Sequence, residues 1–187
     1  GGEHTPAMTE LQAQDLDRNL ATALWEEGLE RQLAGELDEA MRLYRSSLDL
    51  WETAEAHTFL GWGLSFQGLL DAAIDQCQEA IRTDPELGNP YNDTGAYLVE
   101  LDREEEAILW FERAKDARRY ENPQFPYLNL ARIWIGRCEY GSALLELQVA
   151  EVLAPHDPRV EQLVDRVGEL LTEWELPPMP AAEAAIA

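Results

Sequence analysis

The residues that could do chemistry in this 187-residue chain are few and scattered. Three histidines, two cysteines and 37 carboxylates are raw material for metal binding, nucleophilic attack or general acid–base work. Each of those needs partners at fixed spacing. That spacing is missing. His4, His57 and His156 lie far apart with no His-Glu-x-x-His pair, and no glycine-rich loop ends in Lys-Ser or Lys-Thr. Gly61-Trp62-Gly63 has the opening of a dinucleotide fingerprint, but it stands inside a helical pattern with no strand before it. Asn92-Asp93-Thr94 fits the glycosylation pattern and reads as a chance match on a helix. Glu104-Glu105-Glu106 reads as a solvated helix start, where carboxylates complement the helix dipole. We therefore expect no enzyme, no cofactor and no metal.

What would position a functional surface is a recurrence. Gly28, Gly61, Gly95 and Ala131 follow one another at intervals of 33, 34 and 36 residues. Twelve residues after each comes an alanine: Ala40, Ala73, Ala107 and Ala143. Four further on stand Tyr44, Cys77, Phe111 and Leu147, then the small residues Ser47, Ala80, Ala114 and Ala150. A period near 34 with this order belongs to stacked helical hairpins. A small residue on one helix opposite an alanine on the next lets the axes approach to about 8–10 Å. Gly35, Gly68, Asp102 and the run Gly136 to Gly141 mark short turns, which force antiparallel neighbours. Pro85, Pro90, Pro123 and Pro126 punctuate the passages between units. The longest interval, through Arg118 to Pro123, implies an extra turn or wider bend there.

These residues resemble the tetratricopeptide repeat (TPR). The second unit matches most fully, with His57, Leu60, Gly61, Leu64, Gly68, Ala73, Ala80 and Pro85. The third contributes Tyr91, Gly95, Leu98, Ala107, Phe111 and Ala114; the fourth, Tyr127, Leu130, Ala131, Trp134, Ala143, Ala150 and Pro155. The first departs from the pattern at Glu27 and Glu52. The resemblance implies an all-α fold: a right-handed superhelical solenoid of antiparallel helix pairs, about four repeats over residues 21–53, 54–87, 88–123 and 124–157. Capping helices are expected at both ends. Thr9 with Gln12 forms a capping-box signature. Asp157 precedes a stripe of Val160, Leu163, Val164, Val167, Leu171 and Trp174, giving a last helix over 158–174. Residues 9–174 are thus expected to form one domain. Residues 1–8 read as an expression scar and disordered start, and 175–187 as a flexible Pro/Ala-rich tail.

In a TPR array the first helices of successive units line a concave groove, and helical spacing places candidate partner-binding residues there. Trp25 and Leu29 come from the first unit, Phe59, Trp62 and Phe66 from the second, Asn92 and Asp93 from the third, Asn129 and Arg132 from the fourth. Gln32, Glu55, Thr58, Phe125 and Leu128 are further lining positions. Large aromatics supply apolar area at low entropic cost, as binding hot spots do. Asparagine donates and accepts hydrogen bonds, which suits an extended backbone. A carboxylate clamp of the kind some TPR proteins carry is not expected, since no lysine falls on these faces.

A net charge of −23 repels nucleic acid and anionic membrane surfaces. No run of apolar residues is long enough to span a membrane. Cys77 falls at a core position and Cys138 in a turn, so no disulfide is expected, which points to a reducing, cytoplasmic setting. The function expected from these features is a protein–protein interaction module that takes a peptide or helical segment bearing basic and apolar residues. An assembly or secretion chaperone shielding a hydrophobic client, and a self-associating scaffold, are the alternatives.

Overall fold

The computed structural model describes residues 9–175. Among the described residues there are nine α-helices and no strands. They divide between two compact units, one ending at Tyr120 and one beginning at Glu121. In the first, α1 (Glu10–Leu33) packs on α2 (Leu37–Leu50), α3 (Ala54–Phe66) on α4 (Leu70–Thr83), and α5 (Asn89–Glu100) on α6 (Glu104–Lys115). In the second, α7 (Phe125–Gly136) packs on α8 (Tyr140–Leu153), and α9 (Pro158–Glu175) lies against both.

Helix starts follow local chemistry. Thr9 and Gln12 form the reciprocal capping box that opens α1, and Thr53 accepts from the Ala56 amide at 3.2 Å to open α3. Pro90 and Pro126 occupy the first turns of α5 and α7, where no amide donor is needed. Asp157, just before α9, accepts from the Arg159 amide at 2.9 Å.

The helix ends share one device. The amides of Glu36, Leu69, Arg103 and Glu139 donate back to the carbonyls of Arg31, Leu64, Leu98 and Trp134, each spanning five residues. Such a Schellman bond requires a left-handed residue just before the donor. Those residues are Gly35, Gly68, Asp102 and Cys138, with φ of 83°, 74°, 58° and 60°. Glycine adopts this conformation freely and aspartate tolerates it, whereas cysteine is strained.

Within each hairpin the small residue admits a large one. A Cβ added at Gly28 would stand 2.6 Å from the Tyr44 ring, and one at Gly95 would stand 2.6 Å from the Phe111 ring. Both rings are buried. In the second unit Ala131 lies in one core with Ala143, Leu147 and Ala150, closed by Val160 and Val167 of α9.

The long interval after α6 forms a strap. The Arg119 amide donates to the Glu86 carbonyl at 2.9 Å, and the Gly88 amide donates to the Arg119 carbonyl at 3.0 Å, making an isolated parallel bridge. The Arg119 guanidinium reaches Glu55 at 2.6 Å and Asp84 at 2.5 Å. The Tyr120 ring fills the space above Gly88, where a Cβ would collide with it. One segment thereby ties the start of α3 to the link between α4 and α5.

Relief of the strained turn is measurable. Cys138→Gly is expected to stabilise the protein by about 1 kcal/mol in urea unfolding, and Asp102→Gly by less. A loss of stability in Cys138→Gly would contradict the left-handed turn.

Candidate functional site

The face built by the first helices of the first unit is continuous, because α1 touches α3 and α3 touches α5. On it the expected aromatics form two pairs. Trp25 of α1 stacks on Phe59 of α3 at 5.3 Å between centroids, and Phe59 also stacks on the buried Tyr44 at 5.9 Å. This pair is half-buried and joins the first hairpin to the second. Leu29 is half-buried on α1. Trp62 and Phe66, one turn apart on α3, meet at 5.5 Å with rings tilted by 55°. Phe66 is 63% exposed, a large apolar surface left in water.

Further along the same face the structure corrects several expectations. Asn92 is only 7% exposed, so it belongs to the packing of α5 rather than to a docking surface. Thr58 and Gln32 are also buried, bonded to the Ala54 carbonyl and the Tyr44 hydroxyl. Glu55 is held by Arg119 and is not a spare carboxylate. Asp93 remains half-buried, supported by the Asn92 side chain. Burial pushes its carboxyl up to about 7.

In the second unit Asn129 is half-buried and Arg132 exposed, joined by a bond from Arg132 Nη1 to Asn129 Oδ1 at 2.9 Å. Partial desolvation of the guanidinium, and then the nearby Arg159, lower the Arg132 pKa. Arg159 lies 4.6 Å over the Phe125 ring and grips Asp157 at 2.6 Å, which holds that carboxyl below its ordinary range. Phe125 is the first residue of α7, and Leu128 is buried in the core rather than lining a surface.

His57 is a packed histidine. Its ring nitrogens lie 2.8 Å from Gln76 Oε1 and 3.1 Å from Glu52 Oε1. Cys77 is buried and Cys138 exposed, both as free thiols. Among the described residues no cluster of metal-ligating side chains occurs, and no helix is long and apolar enough to cross a membrane.

No family model and no curated relative matches the sequence. Solved structures do. The chain is similar to Pseudomonas aeruginosa pilF, with TM-score 0.76 and 20% identity over 87% of this chain and 72% of that one. It is similar to PilW, a type IV pilus biogenesis factor, with TM-score 0.73 and 17% identity over 83% and 71%. It is also similar to MamA, with TM-score 0.60 and 19% identity over 86% and 98%. These are tetratricopeptide-repeat proteins. The chain has the tetratricopeptide-repeat fold.

Within that fold some contributors escape the repeat pattern. Tyr97 stands where the second TPR unit has Gly63, one period earlier. It is 4% exposed, with its hydroxyl enclosed beside Ser65. A bulky polar residue in a glycine position was the available signal. Arg119 and Tyr120 carried none, because they lie in the interval that breaks the TPR period. A separate cleft of about 350 Å³ is lined by Tyr91, Trp110 and Arg113, with the Arg113 guanidinium 4.8 Å over the Trp110 ring.

The raised Asp93 carboxyl fixes the sign of a pH effect. Its native form holds a proton up to about pH 7, against an ordinary value of 3.8. That contribution is full below 3.8 and is lost as pH rises through 7. Asp93→Asn is therefore expected to match the native protein near pH 4 and to exceed it by on the order of 2 kcal/mol near pH 8. Chemical unfolding at the two pH values checks it; equal differences at both would refute the assignment.

Proposed function

We propose that this protein is a non-catalytic interaction module whose first-helix face takes a peptide or helical segment of a partner protein. The observation that carries the reading is the Trp62–Phe66 pair on α3, its Phe66 ring exposed and its Trp62 ring half-buried, on the helix that the Trp25–Phe59 stack holds. Exposed aromatic area on a rigid helix is the usual makeup of a binding hot spot, since little entropy is lost on contact. The acid excess supports a segment that is basic as well as apolar, because long-range attraction speeds encounter. The similar PilW is itself a biogenesis factor, which is in keeping with a role in which one protein handles another. Asn129 and Arg132 offer the second unit a polar contact of its own, Arg132 for an acidic group.

A second reading, self-association, is favoured by α8. Leu145, Val149 and Val152 follow one another at helical spacing and all are exposed, Val152 to 79%. A helix apolar on its outer as well as its inner side is usually covered.

The two readings separate by mutation. Replacing Trp62 and Phe66 together by alanine is expected to lower partner capture in an affinity pull-down from the native lysate by at least about tenfold, with helicity by circular dichroism unchanged. Undiminished capture would overturn the groove reading. Val152→Glu should leave that capture intact; a fall in sedimentation coefficient in this variant would identify α8 as a self-contact.

A further inference from the structure

The helices α1, α3 and α5 end alike. Their last residues are Leu33, Phe66 and Glu100, each two places before the left-handed residue of its turn, Gly35, Gly68 or Asp102. The seam keeps the same count, since Gly28, Gly61 and Gly95 lie five places before them. Equal turns on helices that touch in order, α1 on α3 and α3 on α5, put these three side chains at one level along an edge of the first-helix face. All three are in water. Leu33 is 72% exposed and Phe66 63%, and Glu100 is exposed as well. Phe66 is braced by Trp62 at 5.5 Å, and Leu69 of the turn that follows is also exposed.

Along the edge the order is apolar, apolar, acidic. The cations of the same turns are engaged elsewhere, Arg31 with Glu27 and Glu36, and Arg103 with Glu106, so the Glu100 charge is left for a cation from outside. The edge also carries the carbonyl ends of three helices, whose dipoles favour positive charge. Spacing then selects the conformation of the partner. Touching helices lie about 8–10 Å apart, which sets the step from one member of the edge to the next. Seven residues of an α-helix advance about 10.5 Å and return to within about 20° of the same face. In an extended strand, side chains on one face recur at about 6.6 and 13 Å, and neither step fits.

We propose that the captured segment is an amphipathic helix laid across the ends of α1, α3 and α5, with apolar residues seven apart over Leu33 and Phe66 and an arginine or lysine seven further on over Glu100. The inference rests on the first-helix face being the docking surface, and it adds the conformation, spacing and charge order of what docks there. A basic residue last in this order also suits the dipole of the docked helix, whose carbonyl end it approaches. The apolar steps supply contact area, and the basic step fixes which way the helix lies.

The test adds fluorescently labelled peptides to the whole chain and follows anisotropy at low salt. The probe is an alanine-rich helix of about 22 residues with leucine, leucine and arginine at seven-residue intervals; its control has the same composition at five-residue intervals, which scatters the three around the helix. The probe is expected to bind at least about tenfold more tightly than the control. Leu33→Ser should weaken it roughly fivefold. Glu100→Gln should weaken it roughly threefold, and should have no effect on a probe carrying glutamine in place of arginine. Glu100→Arg should move the preference to a probe with glutamate at that place. Both positions are exposed, so these variants keep the fold. Equal or absent binding of the two spacings, or an arginine preference that survives Glu100→Gln, overturns the inference. Failure of the docking face is read separately, in partner capture by the Trp62 and Phe66 variant: capture lost there, with no preference between the spacings, keeps the face and rejects the helix.

Discussion

Everything in this protein depends on the close approach of two helices within a hairpin. Gly28 and Gly95 leave no room for a Cβ, and the rings of Tyr44 and Phe111 occupy the space instead. The apolar area so buried is the main stabilising term for a hairpin that has little interior of its own. It also fixes rotation about each helix axis. Once Gly95 must face Phe111, the remaining residues of α5 are assigned to a neighbouring hairpin or to water with no further freedom. The left-handed turns serve the same end, since each satisfies the last carbonyls of one helix while reversing the chain into the next.

The same constraint separates the aromatics that look alike in sequence. Trp25 and Phe59 lie close to the seam and are drawn into it by Tyr44, so their stacking is chiefly a joint between two hairpins. Trp62 and Phe66 stand on the same helix and pair with each other instead; Trp62 is half-buried and Phe66 is left largely in water. An exposed ring resting on a stiff helix is organised for contact before any partner arrives. The stacked pair therefore acts at one remove, by holding α3 so that the exposed Phe66 ring keeps its direction.

Most of the fold was legible in the chain because the seam is a matter of residue size at fixed spacing, which a single sequence displays. The two capping signatures were legible for the same local reason. The candidate site was legible only in part. Helical spacing assigns a residue to a face but does not say how deep the neighbouring helix lies, so Asn92, Thr58 and Leu128 look available and are buried. Glu55 looks free because its partner Arg119 is 64 residues away, in the interval where the period fails. Tyr97 left a trace as a large residue in a glycine position, yet its enclosure beside Ser65 is a property of packing that no spacing rule contains.

The distribution of charge carries the argument one step further. The chain has 14 basic and 37 acidic residues, and several of its arginines are already engaged: Arg31 with Glu36, Arg103 with Glu106, Arg119 with Glu55 and Asp84, Arg159 with Asp157. The exposed pairs among them contribute about 0–1 kcal/mol each, and all of them remove cations that could otherwise neutralise the surface. What is left is a strongly negative field that attracts a basic segment over a distance set by salt. A field of that kind has no register and does not choose which residue of the segment stops where. Choice needs short-range contact, and the exposed Phe66 ring on α3 is placed to supply it. Salt should therefore act on how fast a partner arrives, and apolar contact on how firmly it stays.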